Sequence, residues 1–171
     1  GLSETMAATH INPVEDARPQ CLGIPVFDVE ACVWSPEHGT KLGANEVGEI
    51  LLSCPQLFLG YWRRPKDTEE VFVTLGGTRY FRSGDMGYVD EDGYFYMVDR
   101  LKRMINAAGY KVWPAEVEAI MHGHPDIAEV CVIGVTDPRR GETARAVIVP
   151  TNTDNPPDPG AIISWCKSNK N

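Results

Sequence analysis

Residues 80–112 constrain the fold more than any other part of this sequence. They read YFRSGDMGYVDEDGYFYMVDRLKRMINAAGYKV, with strand-forming aromatic and β-branched residues on both sides of DEDG at positions 90–93. Such runs around a turn-forming quartet predict a β-hairpin. A hairpin alone does not explain why Asp85 follows Gly84, or why Arg100 lies at the far end of the hairpin.

Composition excludes several classes of protein. The chain has 171 residues and 43% hydrophobic residues, which is typical of a folded soluble protein with one medium domain or one and a half small ones. No apolar run approaches the 18 or so residues of a membrane span, and GLSETMAATH lacks the features of a signal peptide. We therefore expect a cytoplasmic protein that is not integral to a membrane. A net charge of −8 disfavours a nucleic-acid partner.

Cysteine and histidine spacing does not indicate a metal centre. The chain has five cysteines, an odd number, and none of them forms a C-x-x-C pair. They are Cys21, Cys32, Cys54, Cys131 and Cys166. We expect all of them to be reduced core cysteines. His122 and His124 have no third ligand nearby in sequence, so a structural role is the better interpretation.

The pattern before residue 100 is that of a β-rich region. Short β-branched runs bounded by Gly and Pro at residues 21–33 and 47–53 predict strands of a sheet or small barrel. Residues 65–72 predict one helical turn, with Asp67 as its cap and Glu70 at the spacing of a capping box.

Beyond the hairpin the pattern becomes that of a small α+β unit, in the order β, α, β, β from Ile105 onward. Pro114 opens a helix with acids in its first turn, and Gly123 ends it. The later elements are strands at 127–135 and 144–149 and an amphipathic helix at 159–166. We expect Ile162, Ile163 and the neighbouring Trp165 to form an exposed apolar patch at this end.

Asp85 and Arg100 each allow two interpretations. A carboxylate on a Gly-shaped turn accepts two hydrogen bonds, the number that a ribose cis-diol donates, but Asp85 could equally cap the turn. Arg100 offers a fork of donors for ribose or phosphate oxygens, while a surface ion pair with Asp99 or Asp90 would also explain it.

Four motifs follow one another along the chain: YFRSGD at 80–85, GYFYMVDRLK at 93–102, GYKV at 109–112 and PAEVE at 114–118. Together they resemble the acyl-adenylate-forming (AMP-binding) superfamily, and within it the fatty acyl-CoA synthetases. GLSET at residues 1–5 resembles the family's Y-G-x-[ST]-E-T motif, and the resemblance covers essentially the whole chain. It implies an α+β fold: residues 1–100 would be the β-rich, distorted-barrel end of the large AMP-binding domain, and residues 101–171 a truncated, mobile C-terminal domain.

The resemblance implies nucleotide contacts for four residues at matching motif positions. Asp85 would bind the ribose hydroxyls of ATP or AMP, and Arg100 would reach the same nucleotide. Ser3 would contact its phosphate. Glu4 would help to hold Mg²⁺, a hard cation that takes carboxylate oxygen as a ligand.

The resemblance also implies two residues that serve the change between half-reactions. Lys102 falls at the hinge about which the C-terminal domain would rotate. Gly109, in the loop at 108–110, would let the pantetheine arm of coenzyme A pass close to the backbone during thioester formation.

The implied activity is ATP-dependent ligation of a fatty acid to coenzyme A, first through an acyl-adenylate with loss of pyrophosphate, then through a thioester with release of AMP. We expect this chain alone to be inactive, because the family's phosphate-binding loop, acyl pocket and C-terminal Lys segment are not in it. An aryl- or amino-acid-adenylating enzyme, a luciferase-like enzyme and a non-catalytic binding module remain alternatives. Nucleotide binding would separate the last from the others.

Overall fold

The computed structural model describes residues 1–169, which divide into two compact units. The first unit comprises residues 1–101 and the second begins at Lys102. The sequence predicts a boundary between residues 100 and 101, one position earlier.

The first unit is built mainly from antiparallel strands. After a 3₁₀ turn at Ser3–Thr5, its elements are β1 (His10–Ile11), β2 (Ile24–Pro25), β3 (Glu30–Ser35), β4 (Thr40–Lys41), β5 (Gly48–Ser53), α1 (Pro65–Glu70), β6 (Phe72–Leu75), β7 (Thr78–Val89) and β8 (Phe95–Arg100). The strand predicted at 47–53 and the hairpin around 90–93 are confirmed as β5 and as β7–β8.

The main sheet has the strand order β4-β3-β5-β7-β6, and β8 pairs with the second half of β7. Both faces of its centre are covered, because Ile50 and Leu52 pack into one apolar cluster while Leu51, between them, packs into another. Leu51 and Tyr80 are fully buried in that second cluster. The run of consecutive apolar residues in β5 reflects this burial on both faces. Apolar and polar residues alternate only in a strand that has one face in solvent.

Helix α1 begins three residues earlier than a cap at Asp67 would require. Pro65 occupies the first turn, so the N-cap is Arg64 and Asp67 lies inside the helix. Asp67 instead makes an ion pair with the Nε of Arg64 at 2.6 Å. The predicted capping box with Glu70 is therefore wrong.

The second unit packs helices against an antiparallel sheet. Its elements are β9 (Ile105–Ala107), β10 (Tyr110–Val112), α2 (Pro114–His122), β11 (Ile127–Asp137), β12 (Gly141–Pro150) and α3 (Pro159–Ser168), with strand order β10-β9-β12-β11. Its buried core comprises Ile105, Met121, Ile127, Val132 and Ile162. The predicted order of elements is wrong at the start, because residues 105–112 form a hairpin rather than one strand.

The cysteines match the prediction only in part. All five are free, within the residues that the structure describes. Cys131 is exposed on β11, so it is not a core cysteine. Burial raises the pKa of the Cys32 and Cys54 thiols, which keeps both protonated and unreactive near neutral pH.

Helix α3 does not present the predicted apolar patch. Ile162 is buried in the core of the second unit, and Trp165 packs edge-on against His124 with ring centroids 5.1 Å apart. Ile163 is 56% exposed, at the rim of an apolar groove of about 550 Å³. Helix α3 is ten residues long. Within residues 1–169, no helix combines the length and the apolar character that crossing a membrane requires.

These two neighbouring isoleucines should respond differently to truncation. Ile162→Ala is expected to lower the free energy of unfolding by about 2–3 kcal/mol, because it leaves a cavity in a closed core. Ile163→Ala should change it by less than about 1 kcal/mol, because the side chain is already hydrated. Urea unfolding of the two variants makes the comparison. Equal losses would contradict the placement of α3.

Candidate functional site

The candidate site is built on a bulge in β7. β7 pairs with β5 through Arg82–Leu51 and Met86–Glu49, so residues 83–85 of β7 lie opposite a single residue of β5. Extra residues on one strand leave backbone groups without ladder partners and turn side chains in a new direction. In this chain the bulge ends at Asp85.

Local hydrogen bonds fix the shape of the bulge. Gly84 has a φ of +71°, in the left-handed region that a side chain disfavours. The Ser83 hydroxyl donates to the carbonyl of Ile50 at 2.6 Å and accepts the N–H of Asp85 at 3.0 Å. The bulge is therefore a defined structure that holds Asp85 in place.

Asp85 and Arg100 face each other across β7 and β8. Their backbones are paired, and the Nε of Arg100 lies 3.1 Å from Oδ1 of Asp85. This ion pair lacks hydrogen-bond geometry, so within residues 1–169 the buried Oδ1 accepts no hydrogen bond. The Asp85 carboxylate is thus an ion-pair partner of Arg100, while Asp99 accepts the backbone N–H of Arg100 and Asp90 pairs with Arg18.

The electrostatics of Asp85 follow from its burial. The side chain is 14% exposed, and burial raises the pKa of its carboxyl, with Arg100 opposing the shift and Glu49 and Glu4 adding to it. A buried carboxylate with an unused acceptor oxygen favours a partner that donates hydrogen bonds.

A cavity of about 230 Å³ lies beside this carboxylate. Asp85, Arg100 and Ser83 line it together with His10, and Gly1 and Leu2 are among its other lining residues. The cavity and the carboxylate oxygen that accepts no hydrogen bond together make a small polar recess at the end of the β7–β8 hairpin.

Sequence reasoning missed His10. Burial lowers the pKa of its imidazole to about 4, so the ring is neutral near pH 7. It packs against Phe95 at 4.8 Å, and its Nε2 is buried without a hydrogen-bond partner among the described residues. No spacing in the sequence relates His10 to the hairpin, because β1 reaches this site only through the fold.

Sequence reasoning also missed an ion pair below the bulge. Oε2 of Glu49 accepts hydrogen bonds from Nε and Nη2 of Arg82 at 3.1 and 2.9 Å, and Oε1 accepts the N–H of Gly84 at 3.1 Å. Glu49 is 1% exposed. A lone acid inside the apolar run GEILLS was the available signal, because a buried charge requires a partner.

Ser3 and Glu4 lie on the 3₁₀ turn that precedes β1. Ser3 is exposed, and Glu4 is half-buried with Oε1 accepting a hydrogen bond from the hydroxyl of Tyr61 at 2.8 Å. Burial and this hydrogen bond raise the pKa of Tyr61, so the phenol is a neutral donor. The phenol hydroxyl therefore fixes the orientation of the Glu4 carboxylate.

Lys102 and Gly109 belong to the second unit. Lys102 is its first residue and lies in a 3₁₀ turn at Leu101–Arg103. Gly109 is at the tip of the β9–β10 hairpin, where Ala108 and Gly109 have φ of +55° and +89°. A Cβ at Gly109 would meet no atom within 4 Å, so the backbone here is open to its surroundings.

The described residues contain no preformed cluster of metal-ligating side chains. No group of three or more His, Cys, Asp and Glu side chains within residues 1–169 is arranged to hold an ion. Mg²⁺ in phosphate-binding sites commonly uses one or two carboxylates together with oxygens of the substrate. A single carboxylate such as that of Glu4 fits this second kind of site.

The raised pKa of Asp85 predicts a pH dependence of stability. An acid whose folded-state pKa lies above its ordinary value of 3.8 stabilises the fold when protonated and loses that contribution as pH rises through the folded-state pKa. Asp85→Asn should therefore be more stable than the wild type near neutral pH, with the difference disappearing in acid. Urea midpoints measured against pH test this, and a wild type that gains stability relative to the variant as pH rises would contradict it.

Two family profiles match this sequence. Residues 1–62 match the profile described as AMP-binding enzyme, and residues 116–170 match the AMP-binding enzyme C-terminal domain. The two matches lie in the same order as the two units of the structure.

Individual relatives agree with these matches. The long-chain-fatty-acid–CoA ligase of Bacillus subtilis (strain 168) is 40% identical over 150 residues, which are 87% of this chain and 26% of the relative. The luciferin 4-monooxygenase of Luciola mingrelica is 42% identical over 151 residues, 87% of this chain and 27% of the relative. The ATP-bound MatB structure from Rhodopseudomonas palustris superposes with a TM-score of 0.88 at 31% identity, covering all of this chain and 33% of MatB. This chain spans about a quarter of the length of these curated relatives.

Proposed function

Because this chain belongs to the family of AMP-binding enzymes, we propose that the protein containing it activates a carboxylic acid with ATP and passes the acyl group to coenzyme A. Activation joins the carboxylate to the α-phosphate and releases pyrophosphate. Attack by the thiol of coenzyme A on the acyl carbon then releases AMP.

The observation that carries this proposal is the buried oxygen of Asp85 that accepts no hydrogen bond among the described residues and lies beside a cavity. Two vicinal hydroxyls of a ribose would donate hydrogen bonds to the carboxylate. These hydrogen bonds would offset the free energy that is lost when burial removes the carboxylate from water. Arg100 is 60% exposed in its side chain, so its guanidinium retains donors for the same ribose or a phosphate.

Ser3 and Glu4 would serve the phosphate end of the nucleotide. The exposed hydroxyl of Ser3 donates a hydrogen bond to a phosphate oxygen. The carboxylate of Glu4, oriented by Tyr61, would hold Mg²⁺, which would supply positive charge against the phosphate oxygens.

Lys102 and Gly109 would serve the second half-reaction. We assign the hinge to Lys102, the first residue of the second unit, because rotation about a short segment between compact units moves one unit as a rigid body. The open backbone at Gly109 would face the pantetheine arm of coenzyme A. The large AMP-binding domain and the mobile C-terminal domain would then meet near residues 100 and 101.

A fatty acid is the substrate that we propose. The B. subtilis relative named for long-chain fatty acids supports this choice. The luciferin 4-monooxygenase of L. mingrelica, which is similarly related over the same span, supports a luciferase-like activity as the rival. Activity measured with each class of acid distinguishes the two.

A pyrophosphate-release assay on the full-length protein tests the proposal. It would use Mg-ATP with a panel of fatty, aryl and amino acids, with and without coenzyme A. Release with fatty acids, and thioester only when coenzyme A is present, is the expected result. Release with aryl or amino acids alone would retain the adenylation and overturn the fatty-acid assignment. Silence with every acid would overturn the proposed function.

A further inference from the structure

Glu49 is a buried charge that the proposed chemistry does not use. It lies on β5 with 2% of its side chain exposed, and both of its oxygens accept hydrogen bonds from the β7 bulge or from Arg82 next to it. Ion pairs of this kind add little net stability, because desolvation offsets their attraction, and well-packed apolar residues often replace them without loss. Stability alone therefore does not explain an acid at this position.

Glu49 makes its hydrogen bonds to Gly84 and Arg82, which lie in or next to the bulge that positions Asp85. Its Oε1 is the acceptor for the N–H of Gly84, which the bulge removes from the strand ladder. A buried N–H without an acceptor is strongly unfavourable, so the bulge requires such a partner. Oε2 meanwhile binds the guanidinium of Arg82, and Glu49 is thereby held in one orientation.

We propose that Glu49 is a positioning residue of the nucleotide site, which holds the β7 bulge so that the carboxylate of Asp85 is ready for the ribose. Arg82 supports this role by orienting Glu49. The inference rests on the proposed function, because it takes Asp85 as the ribose-binding group.

Glu49 also acts on Asp85 through its charge. Asp85 is faced by Arg100 from β8, Glu49 from β5 and Glu4 from the 3₁₀ turn at Ser3–Thr5, and its cavity is shared with neutral His10. Burial is the largest cause of its raised pKa, and the negative charge of Glu49 adds to it. Removing that charge should lower the pKa of Asp85, an effect that simple loosening of the fold would not produce.

The test is AMP titration calorimetry on the full-length protein between about pH 4 and pH 8. Glu49→Gln should weaken AMP binding about tenfold at neutral pH, since its amide cannot satisfy both Gly84 and Arg82. AMP affinity plotted against pH should fall in acid as Asp85 is protonated, and we call this fall the acid limb. Glu49→Gln should also move the acid limb to lower pH. Glu30→Gln is the control, because Glu30 lies on β3 of the same sheet but contacts Lys41, at 3.7 Å, and the hydroxyl of Tyr80 rather than the bulge. It should change neither quantity.

Each outcome separates this inference from the proposed function. A Glu49→Gln protein that matches Glu30→Gln in affinity and acid limb overturns the inference alone. Absence of adenylation in a wild type that binds AMP overturns the proposed function alone, because calorimetry uses no acid substrate. Failure of the wild type to bind AMP overturns both. If Glu49→Gln does not fold, Arg82→Lys replaces it, with an expected loss of about threefold in affinity, and unchanged affinity overturns the inference.

Discussion

Replacing Asp85 with alanine is expected to weaken AMP binding by the full-length protein at least about a hundredfold. Each hydrogen bond from a ribose hydroxyl to an ionised carboxylate is worth about 1.5–3 kcal/mol, and about 1.4 kcal/mol corresponds to a factor of ten in affinity. Alanine accepts neither hydrogen bond. Isothermal titration with AMP measures the loss directly.

The same substitution should leave the fold intact. Burial already disfavours the charged form of Asp85, and Arg100 on the opposite strand remains largely exposed to solvent. A suitable control is Asp92→Asn, on the turn of the same hairpin, where a 68% exposed carboxylate pairs with Arg18. AMP affinity should be unchanged in that variant. An equal loss in both variants would show that the hairpin, rather than the carboxylate of Asp85, determines binding.

Gly87→Ala is expected to destabilise the first unit by about 3–4 kcal/mol. A Cβ at this position would lie 2.2 Å from the carbonyl oxygen of Tyr96 and 2.8 Å from Cδ1 of Ile50, so β7 and β8 would have to separate. Overpacking against backbone is costly because the backbone cannot relax by changing rotamer. Denaturant unfolding measures the change, which is a large share of the roughly 5–15 kcal/mol that holds a domain folded.

Gly134→Ala provides the matched control for this prediction. Gly134 also lies within a strand, but the nearest atom to its Cβ would be Cγ1 of Ile105 at 3.3 Å, which belongs to a side chain that can shift. We expect a change below about 1 kcal/mol. Because β7–β8 pairing sets Asp85 opposite Arg100, Gly87→Ala should lower AMP affinity as well. Similar costs for the two variants would contradict the close approach at Gly87.

The sequence predicts the β7–β8 hairpin because its signal is local: strand formers flank a four-residue turn. It does not predict the partner of Arg100. Gly87 pairs with Met97, and that spacing would set Asp85 opposite Asp99. An irregularity between Met86 and Gly87 shifts the register by one residue, which brings Arg100 to Asp85 instead.

The ion pair between Glu49 and Arg82 is beyond local pattern reasoning. The two residues are 33 positions apart and meet only through the pairing of β5 with β7. The β9–β10 hairpin was missed for a different reason, because its Ala108-Gly109 turn lacks the Asn or Asp that usually marks such turns. Local motifs therefore indicate Asp85 and Arg100, while the groups that support them require the fold.

The measurement that tests the role of Asp85 most directly compares AMP with 2′,3′-dideoxy-AMP in the wild type and in Asp85→Ala. If the Asp85 carboxylate accepts the ribose hydroxyls, the wild type should bind AMP about a hundredfold more tightly than the dideoxy nucleotide. Asp85→Ala should bind both nucleotides with the same weak affinity. A wild type that does not distinguish them, or a variant that still does, would contradict the assignment of Asp85 to the ribose.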